Sequence, residues 1–372
     1  MEDFDGEPER ILKVSDGTKQ PPFVGSLAGD TKEGFDDAAA LPERLNRYAQ
    51  AHHRALMMAS YIKGAHLDKS KLRPVSVDEI RAKLSTQEKQ NLHIASELEN
   101  CGTHLTFRDY FQIGKVRLHA MHSCKKHMLC PLCAIRRGAK SVKAYLDKLE
   151  IIKAENPHLK AFLVTFTVKN GEDLLERFNH IHRSVKAYHQ QRNNANLGLR
   201  GSVEACKASG AVWSYEFKRG SGSGLWHPHV HAIWLCEDTP DQDAIRAEWK
   251  AITRDSHVVD VRPFHDQDDV VGGFLEVFKY ALKFSDMPLD QNWEGFKTLQ
   301  GRRLIGSFGA FRGVQVPELM TDDNLEDEPY VELLYQYAGG SGYTCTSVST
   351  PKVPDEIERE FDRYRKNARI RR

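Results

Sequence analysis

The chain has 372 residues, 40% of them hydrophobic and 28% charged, with a net charge of +1. That length is too great for one module of the usual size and points to two or three units. No apolar run approaches the ~20 residues of a membrane span, and the acidic start MEDFDGEPER lacks the basic-then-apolar order of a secretory signal, so a cytoplasmic protein without a membrane partner is expected.

Residues 1–40 are polar, rich in Gly, Asp and Pro and without period, which predicts a disordered acidic N-terminus. Residues 41–100 read as a helical extension. Leu45, Tyr48, Ala49 and His52 fall at i, i+3, i+4, i+7 spacing in a first helix over 42–63. A second helix is expected from Ser76, which forms a capping-box pair with Glu79, to about Asn100.

Residues 101–150 hold Cys124, Cys130 and Cys133, three of the chain's seven cysteines, and then a basic helix. Crowded cysteines in a cytosolic chain suggest metal rather than a disulfide framework. Cys-Pro-x-Cys makes a tight knuckle, so a small structural zinc-binding subdomain is expected, one ligand short of the four that zinc requires. Between Lys115 and Lys169 twelve Lys and Arg stand against three acids. That block, with Arg136, Arg137 and Lys140 on its helix, is a candidate surface for DNA phosphates.

Phe162–Val168 (FLVTFTV) is short, apolar and β-branched, hence a buried strand. A helix follows over 172–191. Strands are expected over 211–218 and 226–235 around the glycine-serine loop 220–224, then a helix capped by Thr239 with Ile245, Trp249 and Ile252, a strand over 257–261 and a helix over 268–284. The order β-α-β-β-α-β-α is a split β-α-β (ferredoxin- or RRM-like) arrangement with one extra helix. The fold class is α+β, with a central, mainly antiparallel sheet over 155–312 whose helices cover one face. Residues 313–372 read as an acidic linker, with seven acids and no base from Glu318 to Glu332, followed by a charged helix from Asp355 to Arg372.

Within the second strand of the hairpin stands His227-Pro228-His229-Val230-His231. Residues two apart on a strand share a face, so His229 and His231 can chelate one cation. His227 shares that face too, and spacing leaves open which two bind. Glu216, on the preceding strand, can be folded opposite them, and two imidazoles with one carboxylate suit a divalent ion with open positions for a phosphate oxygen.

Phe274–Phe284 (FLEVFKYALKF) puts Glu276, Tyr280 and Lys283 on one face of a helix. A tyrosine on an amphipathic helix is ordinarily a core residue. The histidine strand some fifty residues earlier changes that reading. A metal can polarise a phosphodiester, and a phenol can then attack phosphorus and store the strand end reversibly. Lys283 could position a phosphate or stabilise phenolate, and Glu276 could serve as general base for a water.

His-Pro-His-Val-His followed by Glu-x-x-x-Tyr-x-x-Lys resembles the HUH endonucleases, and among them the plasmid rolling-circle replication initiators with a single catalytic tyrosine. Phe162–Val168 is similar to their first motif, Cys124-x5-Cys130-Pro131-x-Cys133-x-x-Arg136-Arg137 to the cysteine-rich segment that precedes their nuclease, and Gly301-Arg302-Arg303-Leu304 through Gly309 to a stretch that follows it. The resemblance covers about residues 100–312. It implies Mg2+ or Mn2+ on His229 and His231, Tyr280 as nucleophile, and Glu276 activating the water that ends the reaction. It also makes Cys101, in a Cys-Gly pair, the first choice for the fourth zinc ligand, with His127, His122 and His104 as rivals.

The implied substrate is plasmid origin DNA, single-stranded or in a hairpin. No G-x-x-x-x-G-K-[ST] loop occurs in the sequence, so a host helicase and a single-strand binding protein are expected partners. A transposase or relaxase with the same chemistry is the nearest rival, and a non-catalytic zinc-containing DNA-binding regulator is a rival of another class.

Overall fold

The computed structural model describes residues 23–66, 85–220, 223–325 and 328–350. Five antiparallel strands form the central sheet in the order β6-β3-β5-β4-β7, with β3 at Lys160–Thr167, β4 at Ala208–Arg219, β5 at Trp226–Cys236, β6 at Val259–Pro263 and β7 at Ile305–Gly309. This is the expected α+β class with a split β-α-β core. β7 is an additional edge strand.

Alternation along the strands builds two cores. One face carries Phe166 and Trp234, which pack with Tyr188 of α5 (Leu174–Asn196) and Trp249 of α6 (Gln242–Thr253). The Trp249 indole also donates to the Thr167 carbonyl at 2.9 Å and fixes α6 to the sheet. Asp241, not Thr239, caps α6, its carboxylate accepting from the Asp243 and Ala244 amides. The opposite face carries Val212, Ile233 and Leu235 against Tyr145, Phe274 and Phe278. These belong to α4 (Pro131–Glu155) and α7 (Gln267–Phe278). Helices therefore cover both faces rather than one. Buried apolar side chains on both sides of β4 and β5 demand this.

A second antiparallel sheet has the order β2-β1-β8-β9, with β1 at His104–Tyr110, β2 at Lys115–Met121, β8 at Val331–Tyr337 and β9 at Tyr343–Val348. β1 lies between β2 and β8, with Leu105 opposite both Met121 and Tyr335. The stretch after residue 313 is thus not a detached acidic linker, because its strands complete the sheet that the cysteine-rich segment begins. The expected helix over Asp355–Arg372 lies outside the described residues.

N-terminal to this sheet are α1 (Phe23–Thr31), α2 (Leu41–His66) and α3 (Thr86–Asn100). The expectation of disorder over 1–40 does not hold at α1. Leu27 is fully buried there, and Asp30 pairs with Arg47 and Arg136, so distant partners order a segment with little periodicity of its own. Ser76 and Glu79 lie outside the described residues. The capping box is formed by Ser85, whose hydroxyl accepts from the Glu88 amide at 3.2 Å, and by Glu88, which accepts from the Ser85 amide at 2.7 Å.

Candidate active site

The hairpin register places Glu216 opposite His229 and Ser214 opposite His231. All four side chains face the core shared with α7. His229 Nε2 lies 3.0 Å from Glu216 Oε1, and His231 Nε2 lies 3.5 Å from Glu216 Oε2. Glu216 is fully buried, and its Oε2 has no hydrogen-bond partner. Burial by itself would raise its carboxyl, but the imidazoles of His229 and His231 and the charge of Lys283 hold it well below the usual carboxylate range. A buried carboxylate with an imidazole nitrogen near each oxygen, one of those oxygens without a hydrogen bond, is a donor set able to hold a metal ion.

The three histidines of the strand differ in their neighbours. His227 Nδ1 is 2.6 Å from Asn170 Oδ1 and takes no part in the cluster. His231 Nδ1 is 3.2 Å from Thr165 Oγ1 on β3, which orients the ring so that Nε2 points inward.

The expected helix over 268–284 is interrupted. α7 ends at Phe278, Lys279 forms a turn, and α8 runs Tyr280–Ser285. Ser214 Oγ donates to the Val277 carbonyl at 2.5 Å, satisfying one of the last carbonyls of α7 from the sheet. Arg54 of α2 donates to the Ser285 and Met287 carbonyls at 3.1 and 2.5 Å, bracing the end of α8.

Of three residues expected to share one face, two reach the histidine cluster and the third is turned away from it. Glu276 Oε1 lies 3.2 Å from His231 Nε2, and its other oxygen pairs with Lys279. Lys283 Nζ donates to Glu216 Oε1 at 2.7 Å. The Tyr280 hydroxyl instead meets His127 Nε2 at 3.3 Å. Tyr280 is buried, and burial pushes its hydroxyl up to about 12, opposed by the charge of Arg137.

Cys101, Cys124, Cys130 and Cys133 are all buried and form a single cluster. Sγ–Sγ distances are 3.5 Å for Cys101–Cys133 and Cys101–Cys130, and 3.7 Å for Cys124–Cys133. Cys101 is therefore the fourth sulfur, and His127 faces the tyrosine instead. Gly102 makes this possible. Its φ is +76°, and a Cβ there would come within 2.4 Å of Leu132, so only glycine permits both the turn and the close approach. His52 of α2 holds the Cys101 carbonyl at 2.6 Å. The four-cysteine group is a second set able to hold a metal ion.

The expected DNA surface on α4 needs correction at Arg136. This residue is 2% exposed, and its guanidinium is engaged by Asp30 at 2.9 Å, by Asp322 and by the Met320 carbonyl at 2.7 Å. A cation neutralised on every side is a structural tie, not a phosphate contact. Lys140 is nearly buried and paired with Asp323 at 2.8 Å, and Arg137 donates to the Pro317 carbonyl at 2.9 Å. Other cations face the tyrosine. Lys125, Lys126, Arg302 and Arg303 line a cleft of about 340 Å³ with His127 and Tyr280. Both pairs were visible as doublets, one inside the cysteine spacing and one in Gly-Arg-Arg-Leu, but nothing local tied them to a common cleft.

The replication protein family matches residues 115–336, more than half of the chain. The chain belongs to that family, the rolling-circle plasmid replication initiators of the HUH superfamily. Among its relatives, Protein rep of Bacillus amyloliquefaciens is 26% identical over 59% of this chain and 71% of its own. Protein rep of a Bacillus species is 27% identical over 63% and 81%, and that of Streptococcus pneumoniae is 23% identical over 60% and 71%. No solved structure gives a significant match. Among the described residues of this initiator, no helix is long and apolar enough to cross a membrane.

Proposed function

We propose that this initiator nicks and rejoins one strand of its plasmid origin through a 5′-phosphotyrosine on Tyr280. The observation that carries the proposal is the convergence of the Glu216–His229–His231 cluster with Glu276 and Lys283, which flank the tyrosine in sequence. A divalent ion such as Mg2+ or Mn2+ bound by that cluster supplies polarisation of the scissile phosphate and stabilises charge on its oxygens. Lys283, already held at Glu216, is placed to attract the phosphate. The cations of the cleft beside Tyr280 provide a track for the backbone of single-stranded or extruded DNA.

Tyr280 attacks phosphorus and the 3′ oxygen leaves, so the bond energy is conserved and a 3′-OH is available for a polymerase. Glu276, beside His231, then activates the water that hydrolyses the final junction. The four-cysteine cluster suits structural zinc. A tetrahedral ion with Zn–S bonds of about 2.3 Å keeps its sulfurs roughly 3.8 Å apart, close to the spacing present here, and four protein ligands leave no position for chemistry. Strand separation and protection fall to a host helicase and a single-strand binding protein.

The test is incubation with supercoiled plasmid bearing the cognate origin, with and without Mn2+. Wild-type protein should nick and form a covalent adduct only with the ion. Tyr280→Phe should bind DNA and form no adduct. An adduct in Tyr280→Phe, or nicking that withstands EDTA, would refute the proposal.

A further inference from the structure

The cysteine knuckle does more than brace a fold if one of its side chains reaches the reacting atoms. His127 sits between Cys124 and Cys130, and its Nε2 is 3.3 Å from the Tyr280 hydroxyl, with the two rings edge to face at 80°. Among the described residues it is the hydroxyl's hydrogen-bond partner. Both nearby carboxylates are engaged elsewhere, Glu216 by Lys283 and His229, and Glu276 by Lys279 and His231.

The loop that carries His127 is held on several sides. Lys125 takes a left-handed φ of 55°. The amides of Leu129 and Cys130 both donate to the Lys126 carbonyl at 2.8 Å. The Met128 carbonyl accepts from the buried Asn292 side chain at 2.8 Å. With Nε2 turned to the phenol, the tautomer that carries its proton on Nδ1 leaves the Nε2 lone pair facing the Tyr280 hydroxyl. Burial holds His127 below the usual histidine range and Tyr280 above the usual phenol range. The pair rests as neutral imidazole and intact phenol, the protonation states from which a base must start.

We propose that His127 is the proton acceptor for Tyr280, so that the cysteine knuckle delivers a catalytic group to the nucleophile. This rests on Tyr280 being the nucleophile, as above. As the phenol oxygen forms its bond to phosphorus, its proton passes to Nε2 of His127. The P–O3′ bond breaks with its electron pair remaining on the 3′ oxygen, which takes a proton from solvent. In rejoining, the 3′-OH loses its proton to solvent, and His127 returns its own to the departing phenolate oxygen. Arg137, whose charge lowers the Tyr280 hydroxyl, favours the phenolate in both directions.

The experiment uses full-length protein of measured zinc content and single-stranded oligonucleotides tiling the cognate origin, with Mn2+. Adduct formation is followed in a single turnover. His127→Gln should keep zinc and DNA binding and form the adduct about 10²-fold more slowly or worse, the usual scale of a lost general base. His127→Gly should be slow and should regain rate on addition of imidazole. An adduct in Tyr280→Phe would remove the underlying reading whatever His127 does. With Tyr280→Phe inactive, a wild-type rate in His127→Gln would overturn this proposal alone. So would a folded, slow His127→Gly that imidazole does not rescue, since His127 would then act only by packing.

Discussion

Glu276 Oε1 stands 3.2 Å from His231 Nε2, so the helix leading to the tyrosine and the strand of the histidines meet at a carboxylate. Tyr280, four residues on, looks toward the cysteine knuckle. One segment therefore turns a carboxylate to the Glu216–His229–His231 cluster and a phenol to a different wall, and under the proposed function these are the water-activating base and the nucleophile. Termination by water should depend on the first and strand capture on the second. Glu276→Ala is expected to nick and to form the tyrosyl adduct, but to release multimeric single strands in place of monomer circles. Gel analysis of replication products checks this, and correctly terminated circles at wild-type yield would reduce Glu276 to a helix residue.

Loss of the buried triad should be felt as loss of metal before loss of fold. His229→Ala combined with His231→Ala is expected to abolish nicking while origin binding persists. His227→Ala should retain most activity, because that ring is tied to Asn170. Mn2+ at one hundred times its dissociation constant should stabilise the wild type by about 2.7 kcal/mol. Thermal unfolding with and without the ion measures this, and an equal Mn2+-induced rise in the double variant would place the ion elsewhere.

One zinc per chain is expected, held by sulfur alone. Cys101→Ser should lower the zinc content and loosen the sheet that begins at β1, whereas His122→Ala and His104→Ala should leave both unchanged. Elemental analysis of protein purified without chelators decides the matter. Full zinc in Cys101→Ser would mean that three cysteines and another group suffice.

The tie between Arg136, Arg44, Asp30 and Asp322 predicts an acid limit. Burial alone would raise both aspartates, but Arg44 and Arg136 outweigh it and hold each below the ordinary 3.8. Groups with depressed folded values bind more protons when unfolded, so their contribution is complete above about pH 4 and is lost as pH falls through the folded values. Urea unfolding should show stability falling steeply below that point. Asp322→Asn, which leaves Arg44 and Arg136 short of a buried partner, should cost about 3–5 kcal/mol at neutral pH. A loss under 1 kcal/mol would show that solvent reaches the tie.

Arg136 also shows where sequence reading stops. As part of a run of cations it looks like a phosphate contact, and its partners Asp30 and Asp322 lie 106 and 186 residues away, beyond any local pattern. The histidine cluster was legible for the opposite reason. A strand period of two and a short hairpin determine which side chains face one another, so Glu216, His229 and His231 could be placed together without the rest of the fold. The break at Lys279 was not legible, because FLEVFKYALKF contains neither Gly nor Pro. Ser214 and Arg54, holding the ends of α7 and α8, are the groups that accommodate it. β1 and β2 do alternate, with Leu105, Phe107, Val116 and Leu118 turned inward, but β1 finds its second neighbour more than two hundred residues later.

That last pairing has a consequence for synthesis. As the chain leaves the ribosome, β1, β2 and the four clustered cysteines emerge long before β8, so the sulfurs can come together while one edge of β1 is still open. Until residues 322–336 appear, Arg44 and Arg136 lack Asp322, and a strand flanked by hydrophobic residues offers free amides and carbonyls to any neighbour. A chain stopped before β8 would thus carry all five strands of the central sheet beside an adhesive edge, which only the pairing of β8 with β1 closes.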